Sequence, residues 1–429
     1  MQTASKKVVT GWAMYDWANS VYNLVITTTF FPAYYAAITG LKNFPDGITF
    51  LGRRFVNTEL KDYVLAFGFL VIALLSPILS SIADYKGNKK NFMRFFCYLG
   101  AASCSLMFLF DKNHVTLGLM CFMFAGIGFY GSQVFYNSYL PEIAADADQD
   151  RVSAKGYTFG YIGSVLMQLI GFALVILMTG DPSLPLKITF LLVGLWWVGF
   201  AQITFARLPI SPKNERKEKH NVLTNGFKEL KIVWNQVKNM PVLKRFLTAF
   251  FFYSMGVQTV MLVASDFGIK ILKLENNKLI LTIVIIQLVA IVGAITMSRL
   301  SAIYGNIKVL IFTVLLWVGV CIAAYFMQTE LHFYIIASLV GLVMGGIQSL
   351  SRSTYSKLMP DTKDTASFFS FYDVTEKLAI VIGLFSFGLI EGITNNMRNS
   401  ILAMVIFFAL GLLFLMSTYS AQKKNAATV

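Results

Sequence analysis

Asp84-Tyr85-Lys86-Gly87-Asn88-Lys89-Lys90 lies between two apolar runs, each long enough for a helix to cross a hydrocarbon core of roughly 30 Å. The glycine permits a tight turn, Asp84 can meet a helix N-terminus, and the lysines suit a headgroup layer. The turn returns later as Ser301-Ala302-Ile303-Tyr304-Gly305-Asn306-Ile307-Lys308, with the acid lost. Gly87-Asn88 thus pairs with Gly305-Asn306, Gln133 with Gln348 and Pro141 with Pro360, at offsets of roughly 215 to 219 residues. A direct repeat of that size, in an apolar background, describes two similar halves of a membrane bundle.

The background supports that reading. The chain has 429 residues, of which 56% are hydrophobic and 14% charged, whereas a soluble domain carries about 25% charge. Runs such as Tyr63 to Pro77 and Ile401 to Met416 show no strand-like alternation, so helices rather than a closed barrel satisfy the backbone in lipid. Twelve spans are expected, at about 12–37, 62–83, 92–110, 115–138, 156–178, 187–206, 246–268, 278–298, 308–327, 333–351, 368–391 and 400–418. The expected organisation is an all-α membrane protein. Residues 1–206 form one six-helix bundle and 246–429 a second, pseudo-symmetric with the first, joined by a connector over 207–245. That connector holds the charged run Lys213 to His220. Leu223, Phe227, Leu230, Val233, Trp234 and Val237 follow at near-helical spacing, as in an interfacial amphipathic helix.

The net charge of +14 does not point to nucleic acid, because about 25 of the 36 Lys and Arg fall on the loops of one side if the N-terminus is inside. Cytoplasmic termini, an anionic lipid surface and, from the compact length and short tails, a bacterial inner membrane are the expectation. The outer loop Gly40 to Leu60 reads as a solvated connection. Cys97, Cys104, Cys121 and Cys321 all fall in spans, without a CxxC pair, so neither a disulfide frame nor a zinc site is expected. No phosphate-binding GxxxxGK[ST] loop and no HExxH occurs, and His114, His220 and His332 lie in separate connectors. These patterns point away from ATP drive, cofactors, metals and hydrolase chemistry.

The Asp84 stretch resembles the loop-2/3 signature of the major facilitator superfamily, with Ser80 where a glycine is usual and Tyr85 where a basic residue is usual. Further stretches are similar to one branch of it, the vacuolar amino-acid effluxers tied to autophagy and their bacterial relatives. They are Trp12 to Ser20 with Phe30-Phe31-Pro32; Phe135 to Ile143 with Arg151-Val152-Ser153; and Gln348-Ser349-Leu350-Ser351-Arg352-Ser353. The resemblance implies a secondary transporter, with amino-acid export as the best-known activity. Span seven, Phe252 to Thr259, has no acid near Met255 where relatives often carry one, which counts against an acid-dependent role in the second half.

Charge inside a span costs about 2.5–3.5 kcal/mol on insertion scales, so it needs a reason. Asp16, Asn19, Asn23 and Thr27 recur every three or four residues, which stacks them on one face of span one; helix-dipole stabilisation is the bland account of Asp16. Asp373 and Lys377 have the favourable i,i+4 order for an internal ion pair, leaving Glu376 without an opposite charge nearby in sequence. Glu376, then Asp16 and Asp373, are the proton-coupling candidates, since a carboxylate in a low-dielectric site exchanges protons nearer neutrality. Arg352, paired by the repeat with Asn137, either anchors a carboxylate or serves a neighbouring acid or headgroup. Tyr157, Tyr161, Ser164 and Gln168 form a second stripe, and Gln133, Tyr136, Gln258, Gln287 and Gln348 add neutral hydrogen-bonding groups. Such walls suit a small polar solute, although each alone also serves as interhelical glue. Asp84, Gly87, Lys89 and Lys90 are the gating-loop candidates. Gly156 with Gly160, and Gly341 with Gly345, are spaced for close helix packing. Pro32 and Pro77 read as a helix end and a kink. The expectation is a monomeric secondary transporter working by alternating access on a small solute, with protons as the candidate coupling ion; a transport-inactive receptor or scaffold and a lipid translocase are the rivals on the same fold.

Overall fold

The computed structural model describes residues 2–40, 43–50, 52–178, 180–211 and 222–428. The charged run Lys213 to His220 lies outside them. Helices dominate: α1 (Lys6–Val21), a π-helical stretch (Tyr22–Phe30), α2 (Phe31–Thr39), α3 (Asn57–Lys86), α4 (Lys89–Leu106), α5 (Val115–Ser138), α6 (Leu140–Ile143), α7 (Asp146–Leu177) and α8 (Leu184–Arg207). They are followed by α9 (Val222–Lys238), α10 (Pro241–Leu272), α11 (Asn276–Tyr304), α12 (Asn306–Tyr325), α13 (Glu330–Leu358), α14 (Thr365–Thr394) and α15 (Met397–Thr428). Among the described residues, 11 helices are long and apolar enough to cross a membrane.

The expected first span, 12–37, is helical throughout but broken in character. In its middle the winding widens, and the Phe31 N–H bonds to the Ile26 carbonyl, five residues back. Two local causes act together. Pro32 has no N–H to offer the Thr28 carbonyl, and the Thr28 hydroxyl instead bonds back to the Leu24 carbonyl at 2.9 Å. Pro32 therefore opens α2 rather than ending a helix, while Pro77 lies inside α3. The loop expected to be a plain connection contains an antiparallel hairpin, Ile48–Phe50 with Arg53–Phe55.

The described chain divides into two compact units, and residues 2–4 and 137–158 of the expected first bundle group with the second. One comprises residues 5–136 and 159–211. Within it α1 and α4 pack on α8: the Trp196 indole donates to the Trp17 carbonyl at 3.0 Å, and their rings stack 5.4 Å apart. Phe31 stacks on Phe122 of α5 at 3.8 Å.

The other unit comprises residues 2–4, 137–158 and 222–428. Its tightest pair is α11 against α13. A methyl group on Gly341 would lie 2.5 Å from the Ile286 carbonyl oxygen, and Gly345 likewise faces Ala290, so these backbones touch. Leu288, Val292 and Ile295 face outward from α11, an apolar stripe that suits lipid. The connector's expected amphipathic helix is present as α9, with Val233 and Val237 buried and Trp234 stacked 6.0 Å from Phe371. Side chains at Leu223 and Phe227 are outside the described set.

Gly87 and Gly305 both take positive φ, 64° and 86°. Each follows a long helix, α3 and α11, where an L side chain is strained. The repeated turn is thus the same device twice.

Candidate functional site

In the unit containing α10 to α15, the short segment 137–158 is tied to α11, α12, α13 and α14 by polar contacts. Arg352 of α13 is 2% exposed. Its Nε donates to the Ser153 hydroxyl at 2.9 Å and its Nη2 to the Ser153 carbonyl at 2.8 Å. Nη1 donates to Asn137 Oδ1 at 3.2 Å, and the guanidinium lies over the Tyr157 ring at 4.3 Å. The planar fork thus grips one residue at two points and a second at a third. Ser153 in turn donates to the Ser349 carbonyl at 2.8 Å. The arginine expected as a solute anchor or a headgroup contact is here committed to protein.

Beside it stands a cluster that the sequence reading did not single out. Asp150 accepts from Lys357 Nζ at 2.6 Å and Ser301 Oγ at 2.9 Å on one oxygen, and from Asn306 Nδ2 at 2.7 Å on the other. The second copy of the turn, which lost its own acid, receives one from the start of α7. That missing acid and the acidic run Asp146, Asp148, Asp150 were the available signal. Glu142 adds a bond from Thr365 at 3.0 Å.

On α14 the expected pair forms, with Lys377 Nζ 3.1 Å from Asp373 Oδ1. Glu376 is not isolated from opposite charge, as its sequence neighbours implied: Lys377 Nζ is 3.5 Å from Oε2, and Gln258 Nε2 donates to Oε1 at 2.9 Å. The adjacent lysine bends back along the helix to serve both acids. Gln287 is buried and Gln348 half-buried, its amide 3.7 Å from the Met261 sulfur. A crevice among Val260, Phe267, Ile286, Val320 and Phe333 is wholly apolar and offers a polar solute nothing.

In the other unit, Asp16 is buried and accepts the Tyr136 hydroxyl at 2.7 Å. Trp12 stacks on Tyr136 at 4.4 Å and donates to its carbonyl at 3.0 Å, fixing that phenol in place. Asn19 is fully buried, and neither atom of its amide has a hydrogen-bond partner among the described residues. Asn23 and Gln133 are half-buried, and Asn23 takes a long contact of 3.5 Å from Tyr130. Tyr161 is buried on α7, where Gln168 reaches Thr29 at 3.4 Å. Asp84 pairs with Lys89 at 3.2 Å, and Lys90 donates to the Leu208 carbonyl. These two lysines were expected among headgroups; Lys89 instead turns inward, because a buried carboxylate demands a counter-charge, and Lys90 is half-buried on a backbone carbonyl, while the exposed basic residue of the loop is Lys86.

The profile of the family described as vacuole effluxer Atg22 like matches residues 4–428. The chain belongs to that family. An uncharacterized MFS-type transporter of Bacillus subtilis, YxiO, is 32% identical over 425 residues, covering 96% of each chain. Autophagy-related protein 22 of Kluyveromyces lactis is 25% identical over 464 residues, covering 95% of this chain and 92% of its own. Among solved structures, the human organic anion transporter MFSD10 superposes with a TM-score of 0.76 at 11% identity, covering 96% of this chain and 99% of its own. A bacterial homologue of the iron transporter ferroportin, in an outward-facing state, gives 0.68 at 11% identity, covering 96% and 98%. This effluxer family member therefore has the major facilitator fold, and its family and fold are those of membrane transporters rather than enzymes.

Proposed function

We propose that the chain is a monomeric secondary active transporter that exports a small polar solute, an amino acid or related compound, across a bacterial inner membrane in exchange for protons. Its termini face the cytoplasm, as the loop charge asymmetry favours. The observation that carries this reading is the polar clamp on segment 137–158. Arg352 and Lys357 hold it through hydrogen bonds and one ion pair. Each bond to these charged groups contributes about 1.5–3 kcal/mol net, and each can be exchanged for a bond to water, so the segment can leave α13 and return in each cycle. Alternating access requires an attachment of that kind. Asp16, Asn19, Asn23, Gln133, Tyr136, Asn137, Tyr157, Tyr161, Gln258, Gln287, Gln348 and Arg352 are the polar groups we assign to contact with the solute. Glu376, the most accessible carboxylate of the α14 trio, is the coupling group, with Asp16 and Asp373 behind it. The loop Asp84, Gly87, Lys89 and Lys90 acts in gating.

The test is a proteoliposome screen with labelled amino acids, dipeptides and sugars, with and without a pH gradient. Counterflow of an amino acid, accelerated by an opposing proton gradient, is expected. No exchange of any solute by folded, reconstituted protein rejects the reading.

A further inference from the structure

Three ionisable side chains share little more than a turn of α14: Asp373, Glu376 and Lys377. Their exposures differ in a telling way. The side chains of Lys377 and Asp373 are 4% and 8% exposed, that of Glu376 24%. Of the three, only the glutamate is appreciably exposed.

The bonding is uneven too. Gln258 on α10 fixes Glu376 Oε1 at 2.9 Å and so sets the plane of the carboxylate. Its Oε2 has Lys377 at 3.5 Å, beyond the 2.7–2.9 Å of a well-formed ammonium–carboxylate contact. Lys377 belongs more to Asp373, at 3.1 Å, and its tether to the neighbouring position keeps it from serving both acids well. Asp373 meanwhile keeps Oδ2 buried with no hydrogen-bond partner among the described residues. Arg352, also buried in this unit, is engaged by Ser153 and Asn137.

We infer that Glu376 Oε2 is the docking point for the ammonium group of the transported solute, and that Lys377 is a tethered stand-in which yields it. An untethered ammonium reaches the short contact that Lys377 does not. As it arrives, like charge drives Lys377 away, and the open Oδ2 of Asp373 receives it. The solute class is thus a primary amine or amino acid recognised through its nitrogen. The two carboxylates and Lys377 leave the empty site one negative charge in excess, which the solute's ammonium neutralises on docking; when the solute leaves, Lys377 is again shared between both acids. This inference rests on the proposed transport function and adds the recognised group.

The experiment uses the full chain in lipid nanodiscs, with binding measured by calorimetry and by thermal shift. Leucine amide carries the ammonium without a carboxylate, and N-acetylleucine the reverse. Leucine amide is expected to bind and N-acetylleucine not to. Glu376→Gln should weaken leucine amide at least about tenfold. The double variant Asp373→Asn/Lys377→Gln removes the buried pair together, which spares the fold an unpaired charge, and should bind leucine amide roughly five- to tenfold tighter than the unaltered protein. A purely structural ion pair predicts no gain in affinity. Binding of N-acetylleucine with leucine amide silent, a double variant no tighter than the parent, or no binding of leucine amide by any form overturns the inference. Counterflow in proteoliposomes separates the two claims. Exchange of N-acetylleucine or a sugar without amine dependence sinks this site and leaves transport standing. Amine binding without exchange of any solute sinks transport and leaves the site.

Discussion

Arg352 and Asn137 occupy matching places in the repeated sequence, and in the folded chain they touch, Nη1 to Oδ1 at 3.2 Å. One copy keeps the guanidinium and the other its neutral acceptor. Had both positions kept arginine, the two would repel; the divergence of the repeat makes the contact attractive. The neighbouring Asp150 cluster has the same logic, since the acid absent from the second turn is supplied from near the start of α7.

The Asp150–Lys357 pair should show measurable coupling. Asp150 is 5% exposed, so Lys357→Gln leaves its carboxylate short of a counter-charge, and Asp150→Asn does the reverse. Each single variant is expected to lower the thermal midpoint, and the double variant to lose less than both singles combined, with a coupling of about 1–3 kcal/mol. Strict additivity in the melts contradicts the pair's role in the clamp.

Asp84→Asn should destabilise the protein by about 3 kcal/mol, because Lys89 is fully buried beside it. Adding Lys89→Met should restore most of the loss. Chemical-denaturation midpoints in mild detergent check both, and a harmless Asp84→Asn would return these lysines to the headgroup layer.

Much of this was readable beforehand, and the exceptions have local causes. Glycine spacing identified the turns at Gly87 and Gly305, since only that residue takes positive φ cheaply. The i,i+4 rule placed Asp373 against Lys377. Spacing could not reveal the wider winding after Val21, which comes from the donor missing at Pro32 and a threonine that bonds its own helix. Nor could it bring Asp150 to Asn306, since contacts 156 residues apart are set by packing rather than by neighbours in sequence. The inward turn of Lys89 follows from Asp84 being buried, a fact local pattern does not carry.

Glycines at helix crossings should be intolerant where backbones touch and indifferent elsewhere. Gly341→Val pushes against the Ile286 carbonyl and is expected to cost about 1–3 kcal/mol or to prevent folding. Gly319→Ala in α12 meets nothing within 4 Å and should gain up to about 1 kcal/mol from helix propensity. Parallel thermal melts decide; equal effects would mean that α11 and α13 do not approach so closely.

Asn19 offers a test of function against stability. Asn19→Leu removes a buried amide that has no hydrogen-bond partner among the described residues, so it should leave stability unchanged or raise it by about 1–3 kcal/mol. Solute exchange should fall at the same time if the amide serves the transport path. A marked drop in melting temperature would mean that Asn19 is structural.

The most direct measurement concerns release of segment 137–158 during turnover. Ser153 Oγ lies 2.8 Å from the Ser349 carbonyl, and both serines are as buried as the four native cysteines, so Ser153→Cys with Ser349→Cys, oxidised by a membrane-permeant reagent during turnover, tests a reversible staple between these neighbouring positions. Oxidised protein in proteoliposomes should lose solute counterflow, and a thiol reductant should restore it. Full exchange by protein shown to be completely cross-linked would contradict the account.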